Sequence, residues 1–337
     1  MNEMKIPLRC MDRIFKINHL QFEPTNQCNL KCSICLHSLD TSGNEFGEIS
    51  FDDFKKTVDQ FSGIEEITLQ GVGEPFLAKD IFLMVKYARQ KNITAGSITN
   101  ATLLSEEYCR GIIESGLSLL RASVDSCNPD TYSKIKVGSD INQVMGNLKR
   151  LNRIKKELKS ETPRLSINTV LLRENINELK PLIELAVEVG ANQIWLIPLF
   201  IFGKGLAVQE ESMSSHKELF LEKIIEAKSW AEKHNIKLES GICVDQHPAS
   251  EALSQEQDWP CTRGCYINFK GELSPCCNIF YSFGNIIQNP LYDLWNVGRY
   301  AKFRTYILEN RPSCKKCKFD IDQLKILENS VTEKSAL

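Results

Sequence analysis

The sequence predicts an α/β protein built on a parallel sheet, followed by a smaller cysteine-rich part. Three observations predict it. Strand-like and helix-like stretches alternate six times with a period of roughly 30–40 residues, the pattern of βαβ units. The alternation stops at about residues 240–258, where Gln, Glu and Ser accumulate. Six of the 13 cysteines then fall between Cys261 and Cys317. Crossovers of one hand curl six units one way, into an open doubly wound sheet or an incomplete barrel. In either form, ligands bind at the carboxyl ends of the strands.

Residues 19–24, His-Leu-Gln-Phe-Glu-Pro, read as a short strand that runs into a cysteine loop. Ser50 followed by Asp52 and Asp53 is an N-cap with an acidic first turn, so a helix runs to about Gln60. Glu66–Gln70 is a strand by its β-branched content, and Gly71-Val-Gly-Glu-Pro75 is a backbone-permissive turn before a helix over 79–91. Strands follow at 92–99, 118–124, 164–172 and 193–198. Between them lie helices at 105–115, 129–136, 140–159 and 176–189, and a long helix over 212–234 comes last. Beyond the boundary, Tyr266–Phe269, Lys270-Gly271 and Glu272-Leu273 read as a β-hairpin on a Gly turn. A helix starts at Leu291. The expected divisions are an N-terminal segment 1–18, a barrel 19–240, an auxiliary domain 241–320 and a polar tail 321–337.

Composition narrows the function classes. Hydrophobic content of 42% and charged content of 25% are ordinary for a globular chain. A net charge of −2 gives no electrostatic case for nucleic acid or an anionic membrane. No apolar run approaches the roughly 20 residues of a membrane span, and none resembles a signal peptide. The start, Met1-Asn-Glu-Met-Lys, reads as cytoplasmic. Thirteen cysteines without a signal segment point to metal rather than disulfides. Cys10, Cys109, Cys127 and Cys243 stand alone and read as small hydrophobes.

Cys28, Cys32 and Cys35 form a C-x3-C-x2-C loop. Three thiolates on one loop suit three irons of a [4Fe–4S] cube and leave the fourth iron open to a small molecule. The competing reading is zinc, with His37 as the fourth ligand. The spacing resembles the signature of the radical S-adenosylmethionine (radical SAM) enzymes. That resemblance implies a partial (β/α)6 barrel, SAM chelated at the open iron, and hydrogen abstraction by a 5′-deoxyadenosyl radical. It also implies a reductant such as flavodoxin or ferredoxin. Ile34 departs from the aromatic residue that many relatives carry before the third cysteine.

Gly71, Gly73 and Glu74 resemble the family's "GGEP" motif, which contacts the SAM amino group. Asn100, Ser123 and Asn168 are short polar residues at or near strand ends, placed to hydrogen-bond hydroxyls or a carboxylate. In the family, the strand-four Ser and strand-five positions contact the ribose and carboxylate of SAM. Asp125 reads equally as a cofactor ligand and as a cap for the helix after Asn128-Pro129. Trp195–Pro198 reads as adenine lining or as core.

Cys261-x9-Gly271-x4-Cys276 with Cys314-x2-Cys317 resembles the SPASM extension, shortened to the "Twitch" form with one auxiliary [4Fe–4S] cluster. The implied ligands are Cys261, Cys276, Cys314 and Cys317, with Cys265 as an alternative. Four-cysteine spacing also suits zinc. Cys277 is a candidate hydrogen-atom donor. About 18 residues precede the first strand, too few for a leader-peptide domain. The expectation is therefore an oxidoreductase or epimerase acting on a small polar metabolite such as a sugar or cyclitol derivative. The alternatives are an enzyme that modifies a peptide during natural-product maturation and a zinc-stabilised binding module.

Overall fold

The computed structural model describes residues 17–39, 45–240, 264–275, 282–296 and 300–303. Six strands lead the fold: β1 (His19–Phe22), β2 (Glu66–Leu69), β3 (Thr94–Thr99), β4 (Leu119–Ser123), β5 (Arg164–Leu171) and β6 (Gln193–Pro198). After β1 come α1 (Leu36–Leu39) and α2 (Phe51–Val58). After β2 and β3 come α3 (Ile81–Gln90) and α4 (Glu106–Ser115). After β4 come α5 (Pro129–Ile135) and α6 (Ile141–Glu157). After β5 and β6 come α7 (Leu179–Val189) and α8 (Lys217–Lys233). Three further strands, β7 (Lys237–Ser240), β8 (Gly264–Ile267) and β9 (Leu273–Ser274), complete a sheet of order β7-β6-β5-β4-β3-β2-β1-β8-β9. All neighbours are parallel except β8 and β9.

The helices decide between the two predicted forms. Successive helices touch, α2 to α3, α3 to α4, α4 to α6, α6 to α7 and α7 to α8. They therefore make one layer on one face, where a doubly wound sheet would have two. The sheet stays open between β7 and β9, which makes it a partial barrel.

Alternation assigns the two faces. Phe22 packs edge-on to Phe54 of α2, with ring centroids 5.0 Å apart. Leu20, Phe22, Ile67, Leu69, Leu120, Ala122, Ile167 and Ile194 are all buried under the helices. The opposite parity faces inward. There His19 and Thr68 meet across β1 and β2, Nε2 to Oγ1, at 2.9 Å.

Local signals set the helix ends. Ser50 and Ser105 accept from Asp53 N and Tyr108 N as N-caps. Gly116 and Gly190 end α4 and α7 with φ of 84° and 75°, the left-handed conformation that glycine takes without a steric penalty.

Three expectations change. The long helix begins at Lys217 rather than Ser212, because Ser212, Ser214 and Ser215 bond the side chain or carbonyl of Gln209. A strand follows it, β7, which pairs with β6. The predicted hairpin is present as β8 and β9, but β8 joins the barrel sheet beside β1, with His19 opposite Gly264 and Phe22 opposite Ile267. The helix at Leu291 is α9 (Leu291–Asn296).

Candidate SAM and iron–sulfur site

The cysteine loop leaves the carboxyl end of β1 and is held by three neighbouring loops. Lys31 N and Ser33 N donate to Val137 O and Ile135 O, both at 3.0 Å, at the end of α5. Glu74 N donates to Gln27 O at 2.7 Å. Asn29 bonds Thr102 and Asn100 after β3, at 2.8 and 2.9 Å. Cys28, Cys32 and Cys35 are free, partly accessible thiols. Burial pushes the Cys28 thiol above its ordinary value and the Cys32 thiol up to about 11, against the pull of the Lys136 ammonium. Metal ligation needs thiolates, so loading this loop releases protons.

Zinc and an iron–sulfur cube make different demands on the three thiols. Tetrahedral zinc gathers its thiolates within about 4 Å of one another, at Zn–S distances of about 2.3 Å. Among the described residues, no three His, Cys, Asp or Glu side chains converge on one ion in this way. A cube places each thiolate on a different iron, so its ligands need no common centre.

The glycine-rich turn packs on this loop. A Cβ at Gly73 would lie 2.3 Å from Thr25 O and 2.6 Å from Gln27 O, and one at Gly71 would lie 2.2 Å from Glu23 Oε1. Both glycines thus admit the cysteine-loop backbone and the Glu23 carboxylate, where the sequence suggested close approach of a ligand. Glu74 is turned inward and fully buried. It accepts from Asn100 N at 2.7 Å, Thr99 Oγ1 at 2.8 Å and Phe76 N at 3.3 Å. Burial raises its carboxyl to about 7 despite these bonds. Glu74 therefore ties the turn to the end of β3.

Asn100 also fastens the site. Its Nδ2 donates to Asn29, and its Oδ1 accepts from Thr102 N and Oγ1 at 3.0 and 2.7 Å. Asp125 is not a helix cap, because Asn128 caps α5. Its carboxylate accepts from Val170 N at 2.7 Å and pairs with Lys136 Nζ at 2.9 Å. Ser123 and Asn168 are register partners on the inner face of β4 and β5. Asn168 Oδ1 is buried with no partner among the described residues. So are Gln70 Oε1, Ser166 Oγ and Arg121 Nε on the same face. A face with this many unmet polar atoms, beside a cysteine triad, fits a polar cofactor such as SAM.

Sequence reasoning missed three residues. Lys136 is an almost fully buried cation beside Cys32, and Asp125 and Cys32 hold its ammonium above the ordinary value, although burial alone would lower it. Glu23 bonds Val72 N at 2.7 Å, Phe269 N at 3.4 Å and the Tyr266 side chain, so it joins the glycine-rich turn to the β8–β9 hairpin. Burial raises its carboxyl, and these bonds oppose that rise. Arg121 lies over the Trp195 ring, 5.1 Å from its centroid. Lysine and arginine ordinarily read as surface, so no local signal marks Lys136 or Arg121. For Glu23, a carboxylate at a strand end before a glycine-rich turn is the available clue.

Cys265 sits on the helix-facing side of β8, buried in the core, and burial drives its thiol pKa far up. That is the position of a core residue rather than a cluster ligand. Cys261, Cys276, Cys277, Cys314 and Cys317 lie outside the described residues. No helix among the described residues is long and apolar enough to cross a membrane.

Comparison with known proteins accords with this geometry. Residues 22–186 match the radical SAM superfamily, and residues 261–318 match SPASM, an iron–sulfur cluster-binding domain. The tungsten-containing aldehyde ferredoxin oxidoreductase cofactor-modifying protein of Pyrococcus furiosus is 24% identical over 89% of this chain and 87% of its own. The AdoMet-dependent heme synthase of Methanosarcina barkeri is 26% identical over 85% of this chain and 84% of its own. Among solved structures, Streptococcus suis SuiB bound to its precursor peptide SuiA shares the fold, with a TM-score of 0.71 and 16% identity over 88% of this chain and 69% of that one. The chain belongs to the radical SAM superfamily, with a C-terminal SPASM domain, and its cofactors are SAM and [4Fe–4S] clusters.

Proposed function

We propose that the protein oxidises a small polar metabolite, such as a sugar or cyclitol derivative, in the cytoplasm. The inner face carries this reading. Beyond Asn168, which SAM would occupy, its unpartnered polar atoms on Gln70, Arg121 and Ser166 call for a second ligand rich in hydrogen-bonding groups. By their names, one relative modifies a tungsten-enzyme cofactor and another makes heme, which supports a metabolite over a peptide.

When bound, SAM and the reduced cluster supply a 5′-deoxyadenosyl radical that takes a hydrogen atom from the substrate. The chain does the rest. Cys28, Cys32 and Cys35 hold the three ligated irons. Gly73, through its tight seat on the cysteine loop, would place the SAM amino group, and Glu74 and Asn100 hold that seat by their hydrogen bonds. Ser123 and Asn168 would take the SAM hydroxyls and carboxylate, and the Lys136 ammonium, paired with Asp125, supplies positive charge beside Cys32. The (β/α)6 barrel excludes water around the reacting carbon. In the C-terminal domain, the Twitch arrangement would place Cys261, Cys276, Cys314 and Cys317 on one auxiliary cluster, which would accept the second electron while the substrate radical releases its proton to solvent. Flavodoxin or ferredoxin delivers the first electron.

The test is anaerobic turnover of reconstituted protein with SAM and candidate metabolites in H2O and D2O. The expected result is 5′-deoxyadenosine with a product lighter by two hydrogens. Deuterium at one carbon without oxidation would instead assign epimerisation, with Cys277 as the thiol donor. A colourless protein that binds two zincs would overturn the reading.

A further inference from the structure

The inner face holds a cation that no hydrogen bond or ion pair engages among the described residues. Arg121 lies at the middle of β4, with its guanidinium over the Trp195 ring, 5.1 Å from the centroid. Stacking on an aromatic face fixes the plane of the guanidinium and leaves its edge as the donor surface. Nε is buried without a partner, and no hydrogen bond or ion pair within 4 Å engages Arg121 among the described residues. Ser166 is its register neighbour on β5. Ser166 is 1% exposed, and its Oγ is likewise unpartnered.

The surrounding charges do not satisfy it. Glu66 and Glu239 are close enough to attract Arg121 but form no ion pair with it, and Glu239 is held by Lys237. His19 is engaged with Thr68, and burial lowers its pKa, which favours the neutral ring. A half-buried guanidinium with a free edge, next to an unmet hydroxyl, is the donor set that an anionic oxygen group takes in bidentate fashion. Nothing in the cysteine loop or the glycine-rich turn uses these two residues.

We propose that Arg121 and Ser166, with Trp195 as the platform, bind an anionic group of the substrate, a carboxylate or a phosphate ester. The proposal rests on the reading of the inner face as the substrate chamber and narrows the metabolite to an acidic one. The anchor lies on β4 and β5 below Ser123 and Asn168, so it would hold the substrate from the side away from the cysteine triad.

The test uses cluster-loaded protein with saturating SAM. Arg121 is modified with phenylglyoxal, and the rate is read by peptide mass spectrometry in the presence of acetate, inorganic phosphate or chloride. The expected result is ready modification in chloride and several-fold slowing by one of the two oxyanions. Slowing by acetate assigns a carboxylate, and slowing by phosphate assigns a phosphate ester. Ser166→Ala should weaken the protection. An Arg121 that resists phenylglyoxal, that neither oxyanion protects, or that SAM alone shields would overturn the proposal. Oxidation of metabolites by unmodified protein is scored separately. Protection without metabolite oxidation would keep the anion site and remove the proposed function, and the reverse result would do the opposite.

Discussion

Gly73→Ala tests the central feature of the site, the seat of the glycine-rich turn on the cysteine loop. The added Cβ would stand 2.3 Å from Thr25 O, 2.6 Å from Gln27 O and 2.8 Å from Asn26 C. All three are backbone atoms, so no side chain can swing away. Reaching an ordinary contact near 3.4 Å requires a shift of about 1 Å between turn and loop. Overpacking of this kind costs about 1–3 kcal/mol. The bond from Glu74 N to Gln27 O, 2.7 Å long, spans the same gap and adds about 1 kcal/mol when stretched. For a chain of 337 residues, a loss of about 3 kcal/mol lowers Tm by about 4 °C. A displacement of about 1 Å at a reacting centre costs on the order of 100-fold in rate. The assay is differential scanning calorimetry together with the rate of 5′-deoxyadenosine formation under dithionite. Gly146→Ala is the control, because nothing lies within 4 Å of that Cβ inside α6. It should gain about 0.5–1 kcal/mol and leave cleavage unchanged. A Gly73→Ala protein with the parent Tm and cleavage rate would refute the packing argument.

Three further outcomes follow from the buried groups. Glu74 has its carboxyl raised to about 7 by burial, so its stabilising share is full below the unfolded value near 4.5 and is lost as pH rises through 7. Urea unfolding should show about 1 kcal/mol less stability at pH 8 than at pH 6 from this group, a slope that Glu74→Gln removes. Lys136→Met leaves the Asp125 carboxylate buried and unpaired, at a cost of about 3–5 kcal/mol, and adding Asp125→Asn should recover much of that loss. Cys265→Ala should lower stability by about 1–2 kcal/mol and leave the iron content of the reconstituted protein unchanged, since its thiol lies in the core. A loss of one cluster's iron in that variant would return Cys265 to the ligand set.

The fold was legible where local pattern and burial agree. Glu66–Gln70 and Gln193–Pro198 announced themselves as strands because buried β-branched runs need no partner to be recognised. The sequence Lys-Leu-Glu-Ser of β7 has one apolar residue in four, and only the adjacent β6 makes it a strand. The pairing of β8 with β1 was illegible for a different reason, since a hairpin reads the same wherever it docks. At the site, the cysteine triad and Gly71–Glu74 stood out by spacing. Their partners were not legible, because Gly73 packs on the backbone of the cysteine loop and Glu74 bonds the end of β3, contacts that spacing does not encode. Asp125 had two readings until Asn128 took the cap and Lys136 took the carboxylate. Arg121 and Lys136 depend on which way a side chain turns, which sequence spacing does not encode.

The place of β8 also bears on how the chain can be made and cut. Strand β1 carries the cysteine loop and lies between β2 and a strand that begins at Gly264. A ribosome has therefore released the whole six-unit barrel before one side of its first strand is covered. Such long-range pairing is slow to form, and until it forms an apolar edge holding Leu20 and Phe22 is open to other chains. A fragment ending at residue 240 would keep every residue of the SAM site and still present that edge. It should associate through β1 at concentrations where the full chain stays dispersed, because β8 covers that edge in the full chain.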